Sequence, residues 1–329
     1  MAMHRDKPRD KPWYDGELAR LDALIAAGDA DAALALAAHL AAEAAGDPAE
    51  PMGPLTLAGL PRRLHAAQLR LARAEGDRVA KLGWQALQGP PLQALLPLAE
   101  LTAEERRAAG AMAARPVPRI LHQIWIGELP RPPALAAWQG WCAAHDREYR
   151  LWDEAALAGI GAPDHPAYRA MLDAGDYPGA VDVARYLILQ AQGGIYLDAD
   201  FHPVPQGRGQ GQDFDDYLPA QGLSALPEDT PRVTGRGPVL LTNALISCPP
   251  GHPVMATLLR IMPQAVALMP RAPAWWVTGP LVFTLLARLC PLGMAAHDII
   301  AGRLPRRAPP GALAQFRGAP GLLIDWKSW

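Results

Sequence analysis

Residues 180–202, AVDVARYLILQAQGGIYLDADFH, constrain the fold more than any other stretch of this 329-residue chain. Ala180–Ala191 has the apolar spacing of a helix and runs into Gly193-Gly194, after which Ile195–Asp198 is a short apolar strand. The chain after Arg115 repeats this alternation. Arg119–Ile126 (RILHQIWI), Tyr149–Trp152 and Val239–Ser247 read as strands, and Pro133–Ala144, Ala167–Ala174, Pro253–Leu268 and Pro280–Leu289 as helices. Alternating strands and helices predict an α/β domain with a mainly parallel sheet, which takes ligands at the carboxyl ends of its strands.

Before Arg115 the chain reads almost wholly as helix. Glu17–Ala27 and Asp31–Ala45 suggest a helical hairpin, followed by helices at Arg62–Ala74, Arg78–Gln88 and Ala103–Ala114. The expected organisation is an α-helical accessory domain over 1–114 and a catalytic α/β domain over 115–329. Basic and acidic residues number 31 and 33, a net charge of −2, which argues against a protein that grips nucleic acid across its surface. Of the basic residues 27 are arginines, scattered along the sequence in a way that reads as coding bias. Cys142, Cys248 and Cys290 are far apart and odd in number, so neither a disulfide framework nor a zinc site is indicated and a cytoplasmic location is expected. The charged N-terminus does not read as a signal peptide, and no apolar run approaches the ~20 residues of a membrane span.

The chemistry concentrates at Asp198-Ala199-Asp200. Placed two apart at a strand end, the carboxylates would project to one side and converge on a cation. Carboxylates that keep waters and accept substrate phosphates suit Mg²⁺ or Mn²⁺. Asp-x-Asp alone says little, because about 1.5 chance occurrences are expected on composition. Asp29/Asp31 reads as a helix cap and Asp213/Asp215 as a solvated loop. Only the central pair lies behind a double glycine with Asp182 and Arg185 one helix upstream.

This stretch resembles the signature of the DXD-containing sugar transferases of glycosyltransferase family 32, S-D-x-x-R-Y-x-x-L-x-x-x-G-G-x-Y-x-D-x-D. The matching residues are Asp182, Arg185-Tyr186, Leu189, Gly193-Gly194, Tyr196, Asp198 and Asp200, with Val181 in place of the serine. PRILHQIWIGELPRPP and YRLWDE are similar to the family's first two strands, TNALISCPPGHPVM to its N-x-x-x-x-S-x-P-x-H-P segment, and Val277–Pro280 to its T-G-P turn. Relatives include capsular-polysaccharide and lipopolysaccharide transferases, fungal initiating mannosyltransferases and, more distantly, the clostridial glucosylating toxins.

The resemblance implies a GT-A-like, Rossmann-related nucleotide-sugar-binding fold and a metal-dependent retaining hexosyltransferase of polysaccharide biosynthesis. Its donor would be a nucleotide sugar, UDP- favoured over GDP-, and its cofactor Mn²⁺ or Mg²⁺. It assigns the metal to Asp200 and Asp198, with Ser328 of the closing Ser328-Trp329 as a third candidate. Asp182, Arg185 and Asp198 become the catalytic residues. Trp125 would lie against the base, and Tyr196, Asn243, Gly279, Pro280 and Trp329 would complete the donor site. Where fungal relatives have a histidine before the terminal pair, the nearby polar residue here is Asp325.

Other residues read as structural. His122 is expected to be a satisfied core histidine, and Trp138 and Trp141, three apart on one helix, to share a buried face. Trp275-Trp276 is open between core and an acceptor-stacking role. The acceptor could be a glycan, a lipid-linked intermediate or a protein side chain. The alternatives are a toxin-like protein-modifying transferase and a catalytically silent nucleotide-sugar-binding protein. Peripheral membrane attachment also stays open, although no basic amphipathic helix argues for it.

Overall fold

A computed structural model describes residues 10–46, 55–56, 59–77, 79–81, 84, 92–205, 212–227, 240–270 and 272–329. The chain divides into two compact units, Met1–Leu92 with Met269–Ala272, and Gln93–Leu268 with Pro273–Trp329. In the first, helices Lys11–Ala27, Ala30–Gly46 and Arg62–Ala74 pack through Leu18, Leu21, Leu40, Leu64 and Leu71. Asp29 caps the second helix by accepting from the Ala32 N–H at 3.2 Å, as its sequence position suggested. The expected helix Arg78–Gln88 falls largely outside the described residues.

The second unit begins before the expected boundary at 114/115. Helix Ala103–Met112 belongs to it and opens with a capping box between Thr102 and Glu105. Glu105 also takes Arg260 (3.2 Å) and Thr257 (3.3 Å) from helix Pro253–Leu268. The following residues are tied to the same unit, with Val117 N–H bonded to the Ala220 carbonyl (2.9 Å) and Gly222 N–H to that of Arg115 (3.0 Å).

Six strands form the main sheet: β1 (Ile120–Ile124), β2 (Glu148–Trp152), β3 (Gly194–Leu197), β5 (Ser224–Pro227), β6 (Leu241–Cys248) and β7 (Gly293–Met294), in the order β2-β1-β3-β6-β5-β7. The β1–β2, β1–β3 and β5–β7 pairs are parallel. Strand β6 runs antiparallel to β3 and β5, so the sheet is parallel-rich with one reversed strand. A second sheet joins β4 (Phe201–Pro203), β9 (Leu323–Asp325) and β8 (Ile300–Arg303). Trp138, Trp141 and Cys142 of helix Pro133–Ala144 pack with Leu121, Ile195, Leu197 and Leu245 in the core of this mixed α/β unit. Among the described residues, no helix is long and apolar enough to cross a membrane.

The double glycine sets the spacing of the central strands. Gly193 and Gly194 have positive φ, 62° and 94°. A β-carbon on Gly194 would lie 2.8 Å from the Ile120 carbonyl oxygen, and one on Gly193 2.8 Å from that of Cys248. Glycine at these positions lets the turn enter β3 between β1 and β6.

The pair Asp213/Asp215 is not a solvated loop. Arg147, whose side chain is 2% exposed, bonds to both carboxylates at 2.8 Å, and Arg119 reaches them at 3.1 and 2.7 Å. Two arginines far away in sequence made this cluster invisible to local reading.

Candidate active site

The parallel strands β1 and β3 end side by side, and their carboxyl ends carry Trp125 and Asp198. Because β6 runs the other way, its first residues extend past the end of β3. Asp198 N–H bonds to the Ala244 carbonyl at 2.8 Å, bringing Asn243 to the same edge. Helix Tyr177–Gln192, capped by Asp176 through the Gly179 N–H (3.0 Å), presents Asp182 and Arg185 there.

Asp182 and Arg185 are buried and form an ion pair at 3.0 Å. Asp182 Oδ1 accepts from Asn243 Nδ2 (2.7 Å) and Oδ2 from the Thr278 hydroxyl (2.9 Å). Burial pushes this carboxyl up to about 6, with Arg185, Asn243 and Thr278 opposing the rise. Both oxygens are occupied by protein donors, so Asp182 acts as a fixed negative charge that orients Arg185.

Arg185 donates to the Asn243 carbonyl (2.6 Å), reaches Asp198 Oδ1 (3.2 Å) and lies 4.5 Å from the Tyr196 ring centre. Burial opposes its charge, but Asp198 and Asp182 hold it protonated. Tyr196 donates its hydroxyl to Asp198 Oδ1 at 2.7 Å. Tyr196 thereby positions Asp198.

Strand β3 stops at Leu197, and Asp198–Asp200 forms a turn into β4 rather than a continued strand. The Phe201 N–H closes this turn on the Asp198 carbonyl at 3.3 Å. The turn, not strand pleating, brings the two carboxylates together. Asp200 is fixed through its backbone, whose carbonyl accepts from Trp326 N–H at 2.7 Å. Its Oδ1 is shielded from solvent and has no hydrogen-bond partner. Burial, then the charges of Asp198 and Asp325, push its carboxyl up to about 7, against the pull of Lys327.

An orphaned carboxylate oxygen beside two further carboxylates fits a divalent cation, which would satisfy the oxygen and cancel the repulsion. Among the described residues no group of three His, Cys, Asp or Glu side chains is arranged to enclose a metal. The fit is therefore to a cation that keeps waters or takes oxygens from a ligand, the habit of Mg²⁺ and Mn²⁺.

Two cavities meet at Pro178, Arg185, Asp198 and Asp200. One, of about 440 Å³, is walled by Trp125, Trp329, Arg306 and Lys327. Trp125 and Trp329 pack edge to face at 4.9 Å, Trp125 is tied by its indole N–H to the Leu129 carbonyl (3.0 Å), and Arg306 holds the Trp329 carbonyl (3.0 Å). The other cavity, of about 330 Å³, has Asp182, Thr242, Asn243, Pro280, Arg303 and Asp325 on its walls, with Trp275 at its side. Asp325 is paired with Arg303 at 2.5 Å.

The structure thus brings together Trp125, Asp182, Arg185, Tyr196, Asp198, Asp200, Asn243, Pro280 and Trp329. Gly279 lies behind Asp182, where a β-carbon would approach Oδ2 to 3.0 Å. Ser328 lines neither cavity, while Asp325, paired with Phe201 in the small sheet, lines the cavity that holds Asp182. Sequence reasoning passed over Thr278, Arg303, Arg306 and Lys327. Position inside the T-G-P turn was the only signal for Thr278, and the three cations look like the other scattered basic residues.

His122 is structural, as expected. It is fully buried, its Nε2 is 2.9 Å from the Gly193 carbonyl, and its Nδ1 accepts from the Trp152 indole at 3.1 Å. Burial pushes its pKa down to about 4, so the ring is neutral.

Residues 164–212 match the family model described as the glycosyltransferase sugar-binding region containing DXD motif. The chain is 28% identical over 177 residues to inositol phosphoceramide mannosyltransferase 3 of Schizosaccharomyces pombe. That alignment covers 52% of this chain and 44% of the relative, so the chain spans less than half of the relative's length. Among solved structures it is similar to the PaToxG glycosyltransferase, with a TM-score of 0.40 and 18% identity over 56% of this chain and 74% of that one. It is also similar to the ligand-free glycosyltransferase domain of the YGT toxin, with a TM-score of 0.39 and 10% identity over 55% and 81%. The segment that supplies Asp182, Arg185, Asp198 and Asp200 thus matches, as one continuous piece, the sugar-binding region of DXD glycosyltransferases.

Proposed function

We propose that this protein is a retaining glycosyltransferase that moves a hexose from a nucleoside diphosphate sugar, UDP-linked in preference to GDP-linked, to a hydroxyl of a glycan or lipid-linked glycan. The observation that carries this reading is the division of the site at Asp198 and Asp200. One side offers two tryptophans with two cations, the chemistry of a base and its phosphates. The other offers carboxylates and amides, the chemistry of sugar hydroxyls. The match of residues 164–212 to a DXD sugar-binding region supports the same reading.

In this scheme the base lies against the wall formed by Trp125 and Trp329, and Arg306 and Lys327 face the diphosphate. Asn243 and Thr242 meet the transferred sugar. Arg185 is locked by Asp182, Asp198 and the Asn243 carbonyl, so its charge is in place before the sugar–phosphate bond weakens. The Asp182 carboxylate steadies positive charge that develops on the sugar ring. Asp200 and Asp198 are the residues that would hold Mn²⁺ or Mg²⁺, which supplies Lewis-acid stabilisation of the leaving diphosphate. Among the described residues, Asp182 and Asp198 are engaged by Asn243, Thr278, Tyr196 and Arg185, so in this scheme the acceptor hydroxyl itself attacks, from the face the nucleotide leaves. A cytoplasmic location suits the three free cysteines and remains part of the proposal.

The test is release of nucleoside diphosphate from UDP-glucose, UDP-galactose, UDP-N-acetylglucosamine and GDP-mannose, with Mn²⁺ or with EDTA. One nucleotide class should turn over only with metal, and Asp200→Asn should slow it by about a hundredfold or more. Turnover that ignores both EDTA and Asp200→Asn, or no turnover with any of the four, would contradict the proposal.

A further inference from the structure

Trp275 stands at the side of the acidic cavity with 42% of its surface exposed. Its backbone lies in a hydrogen-bonded turn anchored by buried neighbours. Ala274 and Val277 of the same short helix are buried, and the N–H groups of Thr278 and Gly279 both bond to the Ala274 carbonyl, at 3.0 and 2.8 Å. The exposed indole offers an apolar face beside the cavity, which also carries Thr242 and the Arg303–Asp325 pair. Four carboxylates (Asp182, Asp198, Asp200 and Asp325) outnumber the two arginines, Arg185 and Arg303, on these walls. Even with a divalent cation on Asp198 and Asp200 these walls carry no net positive charge to hold an anionic ligand, and an acyl chain would have to displace water from charged groups. A hydroxyl-rich uncharged ring satisfies both features, one face on the indole and its edges on the ion pair.

We propose that the mouth of this cavity is an acceptor subsite for an uncharged saccharide ring, with Trp275 as its stacking face and Arg303–Asp325 as its hydroxyl partners. The inference rests on the glycosyltransferase reading given above and narrows its glycan acceptor to an uncharged ring held by these residues. The acceptor O–H attacks the anomeric carbon and a new C–O bond forms. The bond from that carbon to the β-phosphate oxygen breaks, its electron pair leaves with the nucleoside diphosphate, and the proton passes to the departing phosphate.

The test uses the full chain with Mn²⁺, the four donors above and methyl α-glucoside, methyl α-mannoside and methyl α-galactoside as acceptors. Glucose 6-phosphate and mannose 6-phosphate serve as anionic counterparts. Trp275→Ala should raise the KM for the methyl hexoside by about tenfold, the effect of removing an aromatic anchor, with the Kd for UDP or GDP within about twofold. Trp275→Phe should recover part of the loss, and the phosphorylated sugars should be poorer acceptors than the methyl hexosides. An unchanged acceptor KM in Trp275→Ala overturns the inference. So does a nucleotide affinity that falls in parallel, a preference for the phosphorylated sugars, or a wild type that hydrolyses donor yet glycosylates no methyl hexoside. A wild type that binds neither UDP nor GDP overturns the donor reading itself, and the acceptor inference falls with it.

Discussion

Thr278 carries no charge, yet the state of Asp182 depends on it. Its hydroxyl is the donor to Oδ2 of a carboxylate that is nearly inaccessible to water. Thr278→Val keeps the shape and removes the donor, which should destabilise the protein by about 1–3 kcal/mol in denaturant unfolding. Thr278→Ser should restore most of it, and equal stability of all three would show that the bond is not needed. His252 offers a test by pH. Its buried Nδ1 accepts from Val254 N–H at 3.3 Å at the start of helix Pro253–Leu268, and burial pushes its pKa from 6.5 down to about 4. Above 6.5 the ring is neutral in both folded and unfolded chains. Between 6.5 and 4 only the unfolded chain takes up the proton, so stability is lost as the pH falls through this window. The loss is on the order of 3 kcal/mol. Asp182 and Asp200, with raised values, act in the opposite sense, so the quantity to measure is the difference from His252→Asn, which keeps an acceptor but cannot titrate there. The advantage of wild type over this variant should shrink by that amount from pH 7 to 4, and a constant difference would contradict the account.

Elements differ in how much of them their own residues declare. Helices Pro133–Ala144, Pro253–Leu268 and Arg62–Ala74 have the bounds their sequences imply, because proline starts or apolar spacing mark them over three or more turns. Strands β4, β5, β7, β8 and β9 were not foreseen, since runs of two to four residues carry too little alternation to be read. Their existence is a tertiary matter: β4 and β9 pair only because the Asp198–Asp200 turn directs the chain away from the main sheet. The double glycine, by contrast, was legible and has a sharp consequence. Gly194→Ala places a methyl group within 2.9 Å of the Ile120 carbonyl and His122 Nε2 at a φ of 94°. It should cost about 3 kcal/mol or more, seen as a fall in Tm and weaker protection of β1 and β3 amides from exchange. A variant with wild-type Tm would refute the close-approach argument.

At the scale of the whole chain, separate segments assemble what no window of sequence displays. Arg303, Arg306, Asp325 and Lys327 enter the site through the small sheet, whereas Asp182, Arg185, Asp198 and Asp200 lie within one readable stretch. The aspartate pair and its helix were therefore legible, and the cations that complete the cavities were not. The same holds for the boundary between the two units. Composition changes near Arg115, but Glu105 is bound to Arg260 and Thr257, so helix Ala103–Met112 belongs with the α/β unit. A chain starting at 93 should melt several degrees above one starting at 115, which lacks this helix and exposes the face it covers. Equal melting temperatures would place the helix outside the folded unit. The central claim is that Asp198 and Asp200 hold a cation on which a nucleoside diphosphate depends. Calorimetric titration of UDP and GDP, with and without Mn²⁺, into wild type and Asp200→Asn tests it most directly. The account predicts that Mn²⁺ tightens one nucleotide by at least about tenfold in wild type and has no such effect in the variant. Equal affinities in all four conditions would contradict it.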